Sequence, residues 1–372
     1  METDMKQDFL LDPNILYLNH GSYGATPKGI LQQQQLWREK MEYEPVQFMM
    51  QTLPGQLIKS RAAAADFLGV DIATISCITN ATTGVQAILS QKIHTGMNVV
   101  CTNHRYQAVY NALHYTCDRQ GANLLEIPVP FGTLSPQQLL EYIWESIPEN
   151  TDFILLDEIS SATAIRFPIA ELCARIKRRN SKTEIFIDGA HSPGHVDTDF
   201  SNIDYWTGNL HKWCCAPKGC ALLYVRTERQ QQLHAPVISH GYRQGFQEEM
   251  WWMGTHDPTA YVCIPEVLKL HEQWGGKEFR QKNHQLMQEA RALIIDAFPD
   301  FIVDDSTAGL AICSFLIPFT EDLYNILFHR YNIEIFVHPI QDKILLRISC
   351  FSAYNALHEY QTLIQALKKI GY

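Results

Sequence analysis

The sequence predicts an α/β protein: a large domain on a mainly parallel sheet, followed by a smaller C-terminal α/β domain. Three observations carry that prediction. Helical and strand-like patterns alternate from about Gly29 to Asn209, the rhythm of strands joined by crossover helices. At 372 residues the chain is long enough for two domains,. After Arg226 the rhythm changes to two long helical stretches and then strands set among helices.

The elements follow in order. A helical pattern covers 30–44, where the run of glutamines at 32–35 is part of the helix and not a low-complexity tract; a second covers 54–68, and a third opens at Thr82-Thr83. A short apolar run, Val99-Val100-Cys101, precedes a helix over 106–119 and a strand over 124–129. Ser135-Pro136 supplies an N-cap and a first-turn proline for the next helix,. Residues 153–156 and 184–187 read as buried strands on either side of an amphipathic helix over 168–179. Residues 239–253, rich in glycine, aromatics and charge, suit a long surface excursion. Helices are then expected over 259–274 and 279–298, with strands over 311–317, 334–337 and 344–349. The division expected is an N-terminal segment 1–20 packing near the active site, a large domain 21–255 and a small domain 256–372.

Composition narrows the function. Lys and Arg total 30 against 40 Asp and Glu, a net charge of −10, which argues against a nucleic-acid partner. The cluster Lys177-Arg178-Arg179 stands at a predicted helix end, where cations are favoured,. No apolar run reaches the roughly 18–20 residues of a membrane helix. The start, Met1-Glu2-Thr3-Asp4, is acidic with no apolar signal core behind it, so a cytoplasmic location is expected,. The ten cysteines are then read as buried thiols. No metal is expected: Cys214-Cys215 are adjacent, no C-x-x-C occurs, and Pro193-Gly194 forbids a helix that would turn His191 and His195 to one ion,.

The chemistry concentrates in two places. Ile185-Phe186-Ile187-Asp188-Gly189-Ala190-His191 sets a carboxylate directly after a buried strand, at the sheet edge where open α/β folds place ligands. Downstream, Lys212 lies between His211 and Trp213, after a turn signalled by Gly208-Asn209. Taken singly, Asp188 could be a loop cap and Lys212 a surface lysine. Together they fit pyridoxal 5′-phosphate (PLP), which needs an amine to condense with and a carboxylate to keep its pyridine nitrogen protonated. Asn80-Ala81-Thr82-Thr83-Gly84 adds hydroxyl residues opening a helix, suited to the cofactor phosphate, although a simple N-cap gives the same pattern.

These residues resemble the class V aminotransferase group of PLP fold-type I enzymes, through Asp188-Gly189-Ala190-His191 and Asn209-Leu210-His211-Lys212-Trp213. Tyr17 to Gly24 (YLNHGSYG), Asn80 to Gly84, Ala216-Pro217-Lys218-Gly219 and Gly254-Thr255 with Asp257-Pro258-Thr259-Ala260 are similar to the isopenicillin N epimerase-like branch. The resemblance implies Lys212 as the Schiff-base lysine, Asp188 as partner of the pyridine nitrogen and His191 beside the ring. It implies His211, Asn209, Thr82 and Thr83 near the phosphate, with Tyr106, preferred over His104, stacked on the ring. Thr255 would reach the phosphate of a neighbouring subunit, making a homodimer with shared active sites. Arg347 would hold the carboxylate of an amino-acid-like substrate, covered by the segment carrying Asn19, His20 and Tyr23. One departure stands out: Glu158 occupies a position where this branch has His, which leaves Ser160 and Ser161 without a clear role.

The reaction implied is epimerisation at the α carbon. The alternatives are β-elimination by a C–S lyase, or transamination within the same branch. Cysteine desulfuration is disfavoured, because no Cys lies between Ile333 and Arg347 and Cys350 follows on the strand.

Overall fold

Segments such as Phe-Ile-Leu-Leu-Asp and Glu-Ile-Phe-Ile-Asp are apolar at nearly every position because both faces of the sheet they build are covered,. The computed structural model describes residues 5–231, 233–307 and 309–372; the acidic start, 1–4, lies outside them. Strand β1 (Leu16–Tyr17) comes first in the chain. The strands of the large sheet follow: β2 (Ile75–Ile78), β3 (Asn98–Thr102), β4 (Asn123–Ile127), β5 (Phe153–Asp157), β6 (Glu184–Asp188), β7 (Tyr205–Asn209) and β8 (Ala221–Val225). Their order is β2-β8-β7-β6-β5-β3-β4, and β8 alone runs against its neighbours.

Alternation along each strand divides the core in two. Phe153, Leu155, Phe186, Tyr205 and Leu223 pack on one face with Val85, Ile88 and Leu89 of the Ala81–Lys92 helix. Ile154, Leu156, Ile185, Ile187 and Trp206 pack on the other with Leu57, Ala64, Leu172 and Ile176. Each such side chain contributes about 1.5–3 kcal/mol on burial. The arrangement is the α/β architecture expected from the sequence, a mainly parallel sheet followed by a smaller C-terminal α/β part.

The C-terminal part holds β9 (Ile302–Val303), β10 (Ile312–Pro318), β11 (Ile333–Glu334), β12 (Phe336–Ile340) and β13 (Lys343–Ser349). The antiparallel order β12-β13-β10-β9 packs against the Lys277–Ala297 and Leu357–Ile370 helices in a separate core. Strand β1 pairs in parallel with β11, and Leu18 enters that same core. The N-terminal segment is thereby fixed to the C-terminal part before it crosses to the large sheet.

Three local expectations are corrected. Gly208-Asn209 is the end of β7 and not a turn; the chain turns after it, at Leu210 to Trp213. The stretch 239–253 is not wholly a surface excursion: the Phe246–Trp251 helix buries Phe246, Glu249 and Met250. Residues 259–274 form two helices, Thr259–Val262 and Ile264–Gln273, because Pro265 lacks an N–H and its ring crowds the preceding turn. Ala260, Ile264 and Val267 of this stretch pack in the core of the large sheet, so residues on both sides of position 256 share that core. Among the described residues no helix is long and apolar enough to cross a membrane.

Candidate active site

Parallel strands bring their C-terminal residues to one edge, and here that edge collects polar groups. Asp157 ends β5, Asp188 ends β6 and Asn209 ends β7; Asp157 and Asp188 are register partners. The Ala81–Lys92 helix starts at the same edge. Its first N–H, of Ala81, donates to Asn209 Oδ1 at 3.0 Å, and the Thr83 N–H donates to its N-cap Asn80 Oδ1 at 2.9 Å. Thr82 is left as the first-turn hydroxyl residue facing a cavity of about 400 Å³.

Lys212 points into this cavity from the turn after β7. Its Nζ lies 2.9 Å from His191 Nε2. Burial pushes the ammonium pKa down to about 7, and the charge of Arg347 pushes the same way, against Asp188 and Asp157. Trp213 Nε1 donates to His191 Nδ1 at 3.4 Å, which leaves the proton of a neutral ring on Nε2, facing Lys212. Burial first, then Lys212, keep His191 neutral. The His211 Nδ1 donates to the Cys220 carbonyl at 3.2 Å, and burial lowers its pKa to about 4. Asp188 accepts from the Ala190 N–H at 2.9 Å; burial raises its carboxyl, while that N–H and Lys212 hold it down.

Arg347 comes from the middle of β13. Its Nη1 donates to the Ser161 carbonyl, and its Nη2 to Ser22 Oγ at 2.8 Å and Asn19 Oδ1 at 3.5 Å. The guanidinium lies 4.2 Å from the Phe336 ring centroid, and Nε has no partner. All these partners are neutral. A cation 1% exposed and held only by neutral groups is a strong invitation to an anion. Asn19 is itself fixed by Glu334 Oε1 at 2.9 Å, and Tyr324 donates to Glu334 Oε2 at 2.9 Å.

The cavity thus brings together Asn19, Tyr23, Thr82, Tyr106, Asp188, His191, Asn209, His211, Lys212 and Arg347. It does not include Thr83, whose hydroxyl turns back to Asn80, nor His104, whose ring is tied to Thr163 Oγ1 and the Val129 carbonyl. His20 stacks on Phe351 at 4.0 Å and contacts the Tyr354 hydroxyl, away from the lining. Thr255 is exposed and lies outside the cavity of its own chain. Glu158 faces away, accepting from Thr198 Oγ1 at 2.6 Å. Sequence reasoning missed Asp157, although the two strands Phe153–Asp157 and Glu184–Asp188 both end in Asp, which was the available signal.

The family model of class-V aminotransferases matches residues 27–337. A rice protein (Oryza sativa subsp. japonica) carrying the name of an L-cysteine desulfhydrase is 30% identical over 78% of this chain; the match spans 64% of the rice protein. The isopenicillin N epimerase of Streptomyces clavuligerus is 26% identical over 96% of this chain and 95% of its own. In fold, a cysteine desulfurase from Thermococcus onnurineus NA1 superposes with a TM-score of 0.83 at 18% identity, covering 99% of this chain and 97% of that one.

Proposed function

Since the chain belongs to the class-V aminotransferase family of PLP-dependent enzymes, we propose that it cleaves a C–S bond by β-elimination from an amino-acid substrate. The residues at the strand ends fit the cofactor. Asp188 suits the pyridine nitrogen, Thr82 at a helix start suits the phosphate, Tyr106 suits the ring face, and Lys212 is the amine that would hold PLP covalently,. When bound, PLP supplies an electron sink that weakens the bonds to the substrate α carbon.

The protein's own groups do the rest. With its pKa lowered to about 7, Lys212 is free base in a large share of molecules at neutral pH, as a nucleophile and a proton acceptor must be. Arg347, a buried cation lacking a counter-ion, supports an α-carboxylate as its partner,. Binding that carboxylate would neutralise the charge that depresses Lys212, making the amine more basic when it takes the α proton.

One observation favours elimination: among the described lining residues, Lys212 is the only amine, and neutral His191 is its direct partner. Elimination needs one proton removed from the α carbon and one delivered to the leaving sulfur, and this pair can serve both. Epimerisation needs a second donor for the opposite face. It remains the second reading because the match covers nearly the whole of an isopenicillin N epimerase. Desulfuration through a protein thiol has less support, since all ten cysteines are buried and burial pushes the Cys350 thiol well up,. The buried free thiols also support a reducing compartment such as the cytosol. Thr255, exposed and outside its own cavity, supports a homodimer in which it completes the neighbour's site.

The test is to saturate the purified protein with PLP and offer cysteine, cysteine S-conjugates and other amino acids of both hands. Pyruvate, ammonia and the released sulfur group (sulfide from cysteine, a thiol from an S-conjugate) are the expected products. Deuterium uptake at the α carbon with inversion and no pyruvate would establish the epimerase instead. Lys212→Ala should lose both turnover and the visible absorbance of firmly bound cofactor. A wild type that retains no PLP would overturn the whole reading.

A further inference from the structure

Asp157 enters none of the steps above, yet it lines the same cavity. As register partners in parallel strands, Asp157 and Asp188 leave the sheet on the same side,. They are 3% and 4% exposed. The backbone N–H of Tyr106 approaches the Asp157 carboxyl, but Oδ2 has no hydrogen-bond partner. An ionised Asp157 would bury a bare anionic oxygen beside a second carboxylate. A protonated one presents a hydroxyl to whatever fills the cavity.

The groups facing Asp157 decide which carboxyl keeps the proton. Burial raises its pKa most, and Asp188 across the β5–β6 pairing raises it further. Arg105, after β3, opposes them, but its guanidinium is engaged with Glu126 at 2.6 Å. Cys101 on β3 is a neutral thiol, its pKa pushed up to about 12 by burial. Lys212, after β7, faces both carboxyls. Asp188 has the Ala190 N–H and Lys212 in its favour, so it ionises first and Asp157 last.

We propose that Asp157 is the protonated member of a buried carboxyl pair with Asp188, a positioning residue whose Oδ2 hydroxyl donates a hydrogen bond to the bound cofactor. Asp188 then carries the single charge of the pair. This rests on the reading of the cavity as a PLP site and adds a neutral donor to it. At alkaline pH, loss of that proton turns the donor into a second anion and weakens cofactor binding.

Asp157→Asn tests this, because the amide keeps the shape and a donor but cannot ionise. Full-length wild type, Asp157→Asn and Asp157→Leu are compared by three readouts. Difference infrared spectra at neutral pH should show a protonated-carboxyl C=O band in wild type that Asp157→Asn lacks; its absence from wild type would overturn the proposal. The second readout is thermal stability against pH, without added PLP. A carboxyl whose folded pKa lies above its unfolded value of about 3.9 loses stability as pH rises from the unfolded to the folded pKa. Asp157→Asn should therefore gain on wild type from about pH 4 upward, and a gap that does not change with pH would overturn the proposal.

The third readout is PLP titration by absorbance. Asp157→Asn should match wild type at neutral pH and keep its affinity into alkaline solution where wild type loses it, while Asp157→Leu should bind about tenfold more weakly. A tenfold loss in Asp157→Asn at neutral pH would mean the charge is needed and would also overturn the proposal. If wild type binds no PLP, the function proposed for the cavity falls and the donor role with it, while the infrared band and stability curves still report the protonation of Asp157.

Discussion

At the scale of single residues, Arg347 acts on Lys212 as well as on the substrate. Its charge is the second cause of the depressed Lys212 pKa, after burial. Replacing it by the neutral, similarly long Met should have two effects. KM for amino acids should rise by about ten- to a hundredfold, the worth of a charge-assisted pair at about 1.5–3 kcal/mol, and kcat should fall with the loss of orientation. In the PLP-free protein, the acid limb of the pH profile for PLP uptake should also move up, because without Arg347 the ammonium form of the free Lys212 amine persists to higher pH. An arginine serving only to pack the strand would leave that limb in place. The sequence made this pair legible, since Lys212 stands in a distinctive setting and Arg347 in a resembling motif. It did not reveal that Arg347 is held by the Ser161 carbonyl, Ser22 and Asn19, partners that only tertiary folding brings together. The same limit explains His104. Nothing local to Asn103-His104-Arg105-Tyr106 tells that the His104 ring is tied to Thr163 and Val129, leaving Tyr106 on the cavity.

At the scale of elements, the short His20–Tyr23 helix delivers Asn19, Ser22 and Tyr23 to the cavity, and Gly24 ends it. Gly24 has φ +67°, and a Cβ there would stand 2.2 Å from the His211 carbonyl oxygen and 2.6 Å from that of Lys212. The N-terminal segment therefore lies directly against the backbone that carries the amine. Gly24→Ala should lower Tm by more than the left-handed backbone alone explains, which is about 1–2 kcal/mol, and should raise KM as Asn19 and Ser22 shift. Gly219→Ala is the control: its φ is +84° with open space around the added carbon, so only the backbone cost should appear. Equal losses in the two variants would show that the segment has room to move. Long helices were legible from their period, and so were the strands read over 153–156 and 184–187, each of which runs one residue further, to its Asp. Strands β2 and β7 were not, because Ile-Ser-Cys-Ile is short and Tyr-Trp-Thr-Gly-Asn ends in residues poor in sheets,; only burial between neighbours makes them strands.

At the scale of the whole molecule, one chain leaves two surfaces unexplained. Tyr43, Val46 and Met50 follow one another around the end of the Lys28–Tyr43 helix, at 90%, 72% and 68% exposure. A contiguous exposed apolar surface is what a protein partner would cover. Thr255 is exposed on a loop where Gly254 has φ +123°, and it contributes nothing to its own cavity. The proposed two-fold dimer would account for both, burying the apolar groups and carrying Thr255 to the partner's phosphate end. The protein should therefore sediment as a dimer. Thr255→Glu, which sets a negative charge beside the cofactor phosphate, should weaken PLP binding without disturbing the fold. The deciding experiment mixes Lys212→Ala with Thr255→Glu under conditions that exchange subunits, at a PLP concentration that fills the wild-type site but not the weakened one. In a hybrid dimer with shared sites, both lesions fall in one site and the other is intact, so activity returns. If each site is built from a single chain, Thr255→Glu lies outside every site, is active on its own, and mixing it with Lys212→Ala adds nothing to that activity. Recovery thus separates a dimer that shares its sites from one that merely pairs two complete enzymes, which sedimentation alone does not do.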